Sequence, residues 1–119
     1  MGKSESSIST DCMDWLKEEF PRGYHHNVSD RYTSGIPDIH SEINGVSFII
    51  ELKKPGKKPE PLQSYNLIVA KLNGVKATWV DSVEDFKSFV LIHTKNTKTP
   101  PAPKIEEIKI GIAKFIRGE

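Results

Sequence analysis

The chain is 119 residues long, carries a formal net charge of +1 and contains a single cysteine, Cys12. That is one domain's worth of residues, able to bury roughly two-thirds of the surface its unfolded chain exposes. The near-neutral balance excludes a global basic field, although Lys53, Lys54, Lys57 and Lys58 are clustered. One cysteine excludes an internal disulfide and suits a reducing compartment. No apolar run approaches the ~20 residues that cross a bilayer, and no signal-peptide core follows the start, so a cytoplasmic protein without membrane partners is expected. Met1-Gly2 with Ser6 matches a myristoylation pattern, which we read as chance because Glu5 has a better use below.

In chain order, Ile8, Cys12, Trp15, Leu16 and Phe20 repeat at helical spacing and predict a helix over residues 4–20, ended by Pro21 and Gly23. Glu5 lies three residues before Ile8, on the same face as the apolar stripe; an exposed first-turn acid favouring the helix dipole is the ordinary alternative. Residues 24–32 read as a polar edge strand, and 36–43 with 46–53 as a hairpin joined by Asn44-Gly45, the strongest two-residue turn signal. Val46-Ser47-Phe48-Ile49-Ile50 is nearly continuous and apolar, as in a strand covered on both faces. A loop stiffened by Pro55 and Pro59 leads to Pro61, suited to the first turn of a helix over 61–73. Leu62, Val69 and Leu72, with Tyr65 or Ile68, are expected to form its buried side. Gly74 stops it, 75–80 form a strand, and Ser82 with Asp85 caps a helix to about Leu91 that turns Val83, Phe86 and Val90 inward. The domain spans residues 1–93, a Pro-rich linker 94–104, and an amphipathic segment 105–119. In that segment Ile105, Ile108, Ile112, Phe115 and Ile116 favour a helix, although Ile108, Ile110 and Ile112 also alternate as in a strand and Gly111 weakens a helix.

If Asn44 and Gly45 form the turn, Ile43 faces Val46, His40 faces Ile49, and Asp38 faces Glu51. Opposed residues have Cβ atoms roughly 4.5–5.5 Å apart on one face, and Lys53, two residues on, shares it. Singly, Pro-Asp is usually a turn and Glu-x-Lys usually a solvated face. Together, at the end of an apolar strand, two mutually repelling carboxylates beside a lysine point to a divalent metal site.

Gly35-Ile36-Pro37-Asp38, Glu51-Leu52-Lys53 closing a strand, and Gln63 near the next helix start resemble the PD-(D/E)XK nuclease superfamily. Ser34-Gly35-Ile36-Pro37-Asp38, Glu51 through Pro59 with Leu62-Gln63, and Asp81-Ser82-Val83-Glu84-Asp85 resemble its virus-type replication-repair nuclease (VRR-NUC) family, in particular stand-alone phage members, over residues 4–91. The resemblance implies an α/β fold with a restriction-endonuclease-like core (helix, three strands, helix, strand, helix), here with an extra C-terminal helix. It also implies metal-dependent phosphodiester hydrolysis, with Asp38 and Glu51 as hard oxygen ligands of Mg²⁺ or Mn²⁺ and the backbone carbonyl of Leu52 as a further ligand. Lys53 would orient or deprotonate the attacking water. Glu5 matches the family's helical acid and would hold a second metal directly or through water, and Gln63 would orient Lys53, water or a phosphate. No small-molecule cofactor is implied. Branched, Holliday-junction-like DNA is the expected substrate and a homodimer the expected assembly, in host cytoplasm if the chain is phage-encoded.

Lys54, Lys57 and Lys58 are usually a solvated loop; beside a phosphodiester site they become backbone contacts, as do Arg31 and Tyr32. His40 is expected to be hydrogen-bonded rather than a ligand, and His25, His26 and His93 lack zinc-ligand spacing. The competing readings are a catalytically silent DNA-binding or assembly module on a nuclease fold, which would be expected to have lost Asp38, Glu51 or Lys53, and a hydrolase of small phosphoesters. The short loops argue against a site that encloses a small ligand.

Overall fold

The computed structural model describes residues 4–28, 35, 37–99, 101 and 103–119. Arg31 and Tyr32, two of the expected DNA contacts, lie outside the described residues. The elements run α1 (Glu5–Glu19), β1 (Tyr24–Asn27), β2 (Ile39–Ile43), β3 (Val46–Leu52), α2 (Pro61–Leu72), β4 (Lys76–Val80), α3 (Val83–Thr94) and α4 (Ile105–Ile116). The helix–strand order is the one the sequence implies.

Ser4 caps α1, its hydroxyl accepting the Ser7 N–H at 3.1 Å. Ser82 does the same for α3 through Asp85 N–H. Asn44 and Gly45 sit at φ 51° and 83°, as a tight twisted hairpin turn requires. Around that turn β2 and β3 pair in the expected register, Ile43 with Val46 and His40 with Ile49.

The four strands form one sheet in the order β1-β2-β3-β4, antiparallel except for the parallel β3–β4 pair. One sheet face, carrying Ile39, Ile43, Phe48, Ile50, Leu52 and Val80, meets Ile8, Cys12 and Leu16 of α1 and Val83, Phe86 and Val90 of α3 in a single apolar core. Trp15 locks the two helices, edge-on to Phe86 at 6.1 Å and to Phe20 at 5.8 Å. Among the described residues, α2 covers the opposite face over β3 and β4.

Two expectations are corrected. α3 runs three residues past Leu91, because Thr94 is buried and its hydroxyl donates to Val90 O at 2.8 Å; the connecting segment therefore begins at Lys95. And α2 is inverted relative to the expectation. Leu67 is its buried residue, while Leu62, Tyr65, Ile68, Val69 and Leu72 are all exposed, Leu72 at 81%. The apolar stripe correctly predicts a helix. Most of it faces outward, because α2 meets β3 and β4 through the side that buries Leu67, with Ile68 at the edge beside Ala77, Thr78 and Trp79.

Candidate active site

Asp38 immediately precedes β2 and Glu51 is the second-last residue of β3, so both sit one step beyond the Ile39–Ile50 pair. Asp38 is fixed by two backbone donors. Leu52 N–H donates to its Oδ2 at 2.8 Å, and Val28 N–H donates to its carbonyl oxygen at 2.7 Å. Glu51 is 2% exposed, and its Oε2 is buried without a hydrogen-bond partner among the described residues. An orphaned buried carboxylate oxygen is expensive. Burial above all, then the hydrogen bond and charge of Asp38 and more weakly the charge of Glu5, push its pKa up to about 8, against the pull of Lys53.

The surroundings are organised by groups at some distance in sequence. Lys53 N–H donates to Val80 O at 2.8 Å, so the parallel β4 strand fixes the end of β3 where the lysine departs. Asp81 Oδ2 accepts Gly56 N–H at 3.3 Å, holding the lysine-rich loop. The Asp81–Asp85 motif thus has a visible structural role here, with Asp81 anchoring the loop and Ser82 capping α3.

Asn66 is a site-organising residue that periodicity alone does not reveal. From α2 its Nδ2 donates to Gly35 O at 2.8 Å, tying the helix to the chain just ahead of Asp38. Gly35 has φ +83°, and a Cβ there would lie 2.7 Å from Leu62 Cγ and 2.8 Å from Asn66 Nδ2. Both the backbone conformation and the close approach of α2 require glycine.

Two hollows flank the acids. One of about 140 Å³ lies between Glu5, Ser6, Ser9, Asp38 and Leu52. The other, about 350 Å³, is lined by Ser4, Glu5, Lys53, Lys54, Lys57, Lys58 and Glu60. Glu5 borders both, so α1 brings the helical acid to the mouth of the site and the loop places three further lysines around it. Gln63 stands at the start of α2, where its Oε1 accepts Glu60 N–H at 2.8 Å as a helix cap.

Two of the histidines, His40 and His25, are in structural bonds. His40 Nε2 and Glu42 Oε1 are 2.8 Å apart, and Glu42 is held below its usual pKa by the Ser47 hydroxyl and by His40. His25 bridges Ser41 Oγ at 3.0 Å and Phe20 O at 2.8 Å.

The donor set fits a hard divalent cation. Asp38 and Glu51 offer carboxylate oxygens, and one of them is unsatisfied. Among the described residues no group of three or more His, Cys, Asp or Glu is arranged to hold a metal. Such a pair suits an ion that keeps several waters rather than one needing a full protein cage.

Two solved structures share the architecture. One, described as a VRR_NUC domain protein, is similar over 88% of this chain and 99% of its own, with a TM-score of 0.71 and 20% identity. The other, described as a VRR_NUC domain, is similar over 73% of this chain and 96% of its own, with a TM-score of 0.56 and 24% identity. No protein-family model and no curated protein matches the sequence. At these identities the likeness establishes the fold: this chain has the VRR-NUC architecture, as its motifs imply.

Proposed function

We propose that the chain is a metal-dependent nuclease that hydrolyses phosphodiester bonds in DNA. The observation that carries the reading is Glu51, a buried carboxyl with an orphaned oxygen beside Asp38 and next to Lys53. A core position so costly in a resting protein is supported by what the group does when a cation arrives. The VRR_NUC neighbours support the same reading through the fold.

In this scheme Asp38, Glu51 and the Leu52 carbonyl hold Mg²⁺ or Mn²⁺. Such an ion, when bound, supplies a water of lowered pKa and a counter-charge for the phosphoryl group under attack. The chain's own residues do the rest. Asp38 is pre-aimed by Leu52 N–H, so little reorganisation is needed on binding. Lys53 orients or deprotonates the attacking water and offsets negative charge as it builds on phosphorus. Glu5, at the mouth of both hollows, holds water or a second ion. Gln63 reaches for Lys53, water or phosphate at the cost of its bond to Glu60 N–H. Lys54, Lys57 and Lys58 take the phosphates on either side of the cut. No nucleophilic side chain is needed. Branched junctions are the proposed substrate, cut by a homodimer that presents two such sites.

The test is incubation with labelled single-stranded, duplex, flap and four-way-junction DNA, with Mg²⁺, with Mn²⁺ and with chelator. Cleavage that needs the ion, is lost in Lys53→Ala and is fastest on the junction is the expected result. Cleavage in chelator, or by Lys53→Ala at the wild-type rate, sinks the catalytic assignment; equal rates on all substrates sink only the junction preference.

A further inference from the structure

α2 and α4 are both 12-residue helices, and both expose a stripe of large apolar side chains. On α2 the stripe is Leu62, Tyr65, Ile68, Val69 and Leu72, 39–81% exposed; on α4 it is Ile105, Ile108, Ile112, Phe115 and Ile116, 46–83% exposed. Each spans little more than a quarter to a third of the helix circumference, the geometry of a helix that lies along one partner. Alongside the α2 stripe an apolar groove of about 250 Å³ opens between Leu67, Ile68, Lys71 and Trp79. No residue of α4 is buried, and an isolated 12-residue helix is marginal in water. Gly111 adds a second sign. Mid-helix it costs about 1 kcal/mol relative to alanine, and nothing in the single chain lies within 4 Å of where its Cβ would be.

Up to Thr99, the connecting segment runs on the side of the sheet opposite α2. Thr97 Oγ1 accepts Asn44 Nδ2 at 3.0 Å at the β2–β3 turn. Thr99 then lines a hollow with Phe20 and Pro21 at the end of α1, on the sheet face opposite α2. Only residues 100–104 remain before α4, three of them proline. Extended, they span roughly 17 Å. The outer side of α2 lies a sheet-to-helix layer and half a helix away, about 15 Å, and about 10 Å further across two strands. Prolines that favour extended chain resist doubling back over such a path.

We propose that α4 of each chain lies along the exposed stripe of α2 of a second copy, and that the exchange is reciprocal, giving a twofold dimer with two identical helix-on-helix seats. Reciprocity pairs both stripes of both chains, which brings the contact towards the roughly 800 Å² per partner of stable interfaces; α4 pairing with α4 would leave both α2 stripes in water. Exchange of a terminal element is a low-cost route to a dimer. The inference rests on packing alone and stands or falls separately from nuclease activity.

The experiment is mass by light scattering behind a sizing column at micromolar concentration. The full chain is expected at twice its monomer mass. Ile68→Glu with Leu72→Glu on α2, and Ile108→Glu with Phe115→Glu on α4, are each expected to give folded monomers that keep the sheet and core signal in circular dichroism and a cooperative melt, because these side chains are exposed in the single chain, with only α4's helical signal and the midpoint contributed by the dimer contact reduced. Mixed at about a hundred micromolar, the two monomeric variants should recover dimer mass, since one brings an intact α4 and the other an intact α2. A monomeric full chain, a dimer that survives either pair of changes, or a mixture that stays monomeric each overturns the proposal: the first points to α4 folding back or standing free, the second to another interface, the third to stripes that pair like with like, α2 with α2 and α4 with α4.

Discussion

Glu51 is a carboxyl buried to 2% exposure, whereas along α2 and α4 eleven large apolar side chains stand in water. Both regions invert the usual sorting of charge outward and oil inward, and inversions of this kind carry more information than the many residues that obey it. They differ in what each lacks. The acidic corner leaves a buried carboxylate oxygen without a partner although Lys53 is near, and what would complete it is small and charged. The helix faces lack area, and what completes them is large and apolar. The first lack suits a bound cation, the second a partner surface.

The comparison breaks most readily at the corner. Lys53→Ala and Asp38→Asn are each expected to slow cleavage by roughly 10²–10⁴-fold while the thermal midpoint stays within a few degrees. If the acids and the lysine act as one unit, the double variant should be little slower than either single one. Single-turnover cleavage of end-labelled DNA measures this, and strictly multiplicative losses would show that the residues act independently.

Next comes stability against pH in the metal-free protein. Glu51 has an unfolded reference pKa of 4.5 and a folded value of about 8, so between those values the folded state binds more protons than the unfolded one. Its contribution is therefore fully present below about pH 4.5 and is lost as pH rises through about 8, with an upper bound on the order of 5 kcal/mol. Glu51→Gln keeps the shape without the proton and should flatten that slope in urea melts at pH 5, 7 and 9, leaving the variant more stable than wild type at pH 9. A wild-type protein whose stability rises steadily from pH 5 to 9 would show that Glu51 is already compensated inside the fold.

The two sides of α2 supply the third contrast. Leu67 is buried and Leu72 is exposed. In a chain kept monomeric by the Ile108→Glu and Phe115→Glu changes, Leu67→Ala should cost about 2–5 kcal/mol, whereas Leu72→Ala should stay within about 0.5 kcal/mol. Chemical denaturation midpoints compare them directly, and equal costs would mean that α2 is buried on both sides by its own chain.

Sequence carried unequal weight in these regions. The hairpin register was legible because Asn44-Gly45 admits one turn geometry, and from it the opposition of Asp38 and Glu51 followed. The outward orientation of α2 was not legible. Periodicity reports that a helix has an apolar side, and the side that meets the sheet is decided by packing partners distant in sequence. Asn66 was hidden for a similar reason: an asparagine in a helix gives no sign that it reaches back to Gly35, 31 residues earlier. Gln63 was legible by motif position, yet its bond to Glu60 N–H depends on where α2 starts.

The smallest expected effect lies on the rim of the acidic corner, where charge is exposed in the ordinary way. Lys57 and Lys58 are exposed residues on a loop held by Asp81, and exposed lysines by themselves imply nothing. What gives them weight is that they line one hollow together with Lys53 and Glu5. If both contact phosphates, Lys57→Glu with Lys58→Glu removes two released counterions, and the slope of log affinity against log salt should flatten by about 2. Fluorescence anisotropy of labelled duplex between 50 and 200 mM salt, with calcium in place of magnesium to prevent cutting, reads that slope. Affinity should fall most at low salt and converge on wild type at high salt, because a lost phosphate contact is worth least where ions already screen it. A parallel line, lower but no flatter, would mean that the pair acts through the loop's conformation and not through DNA.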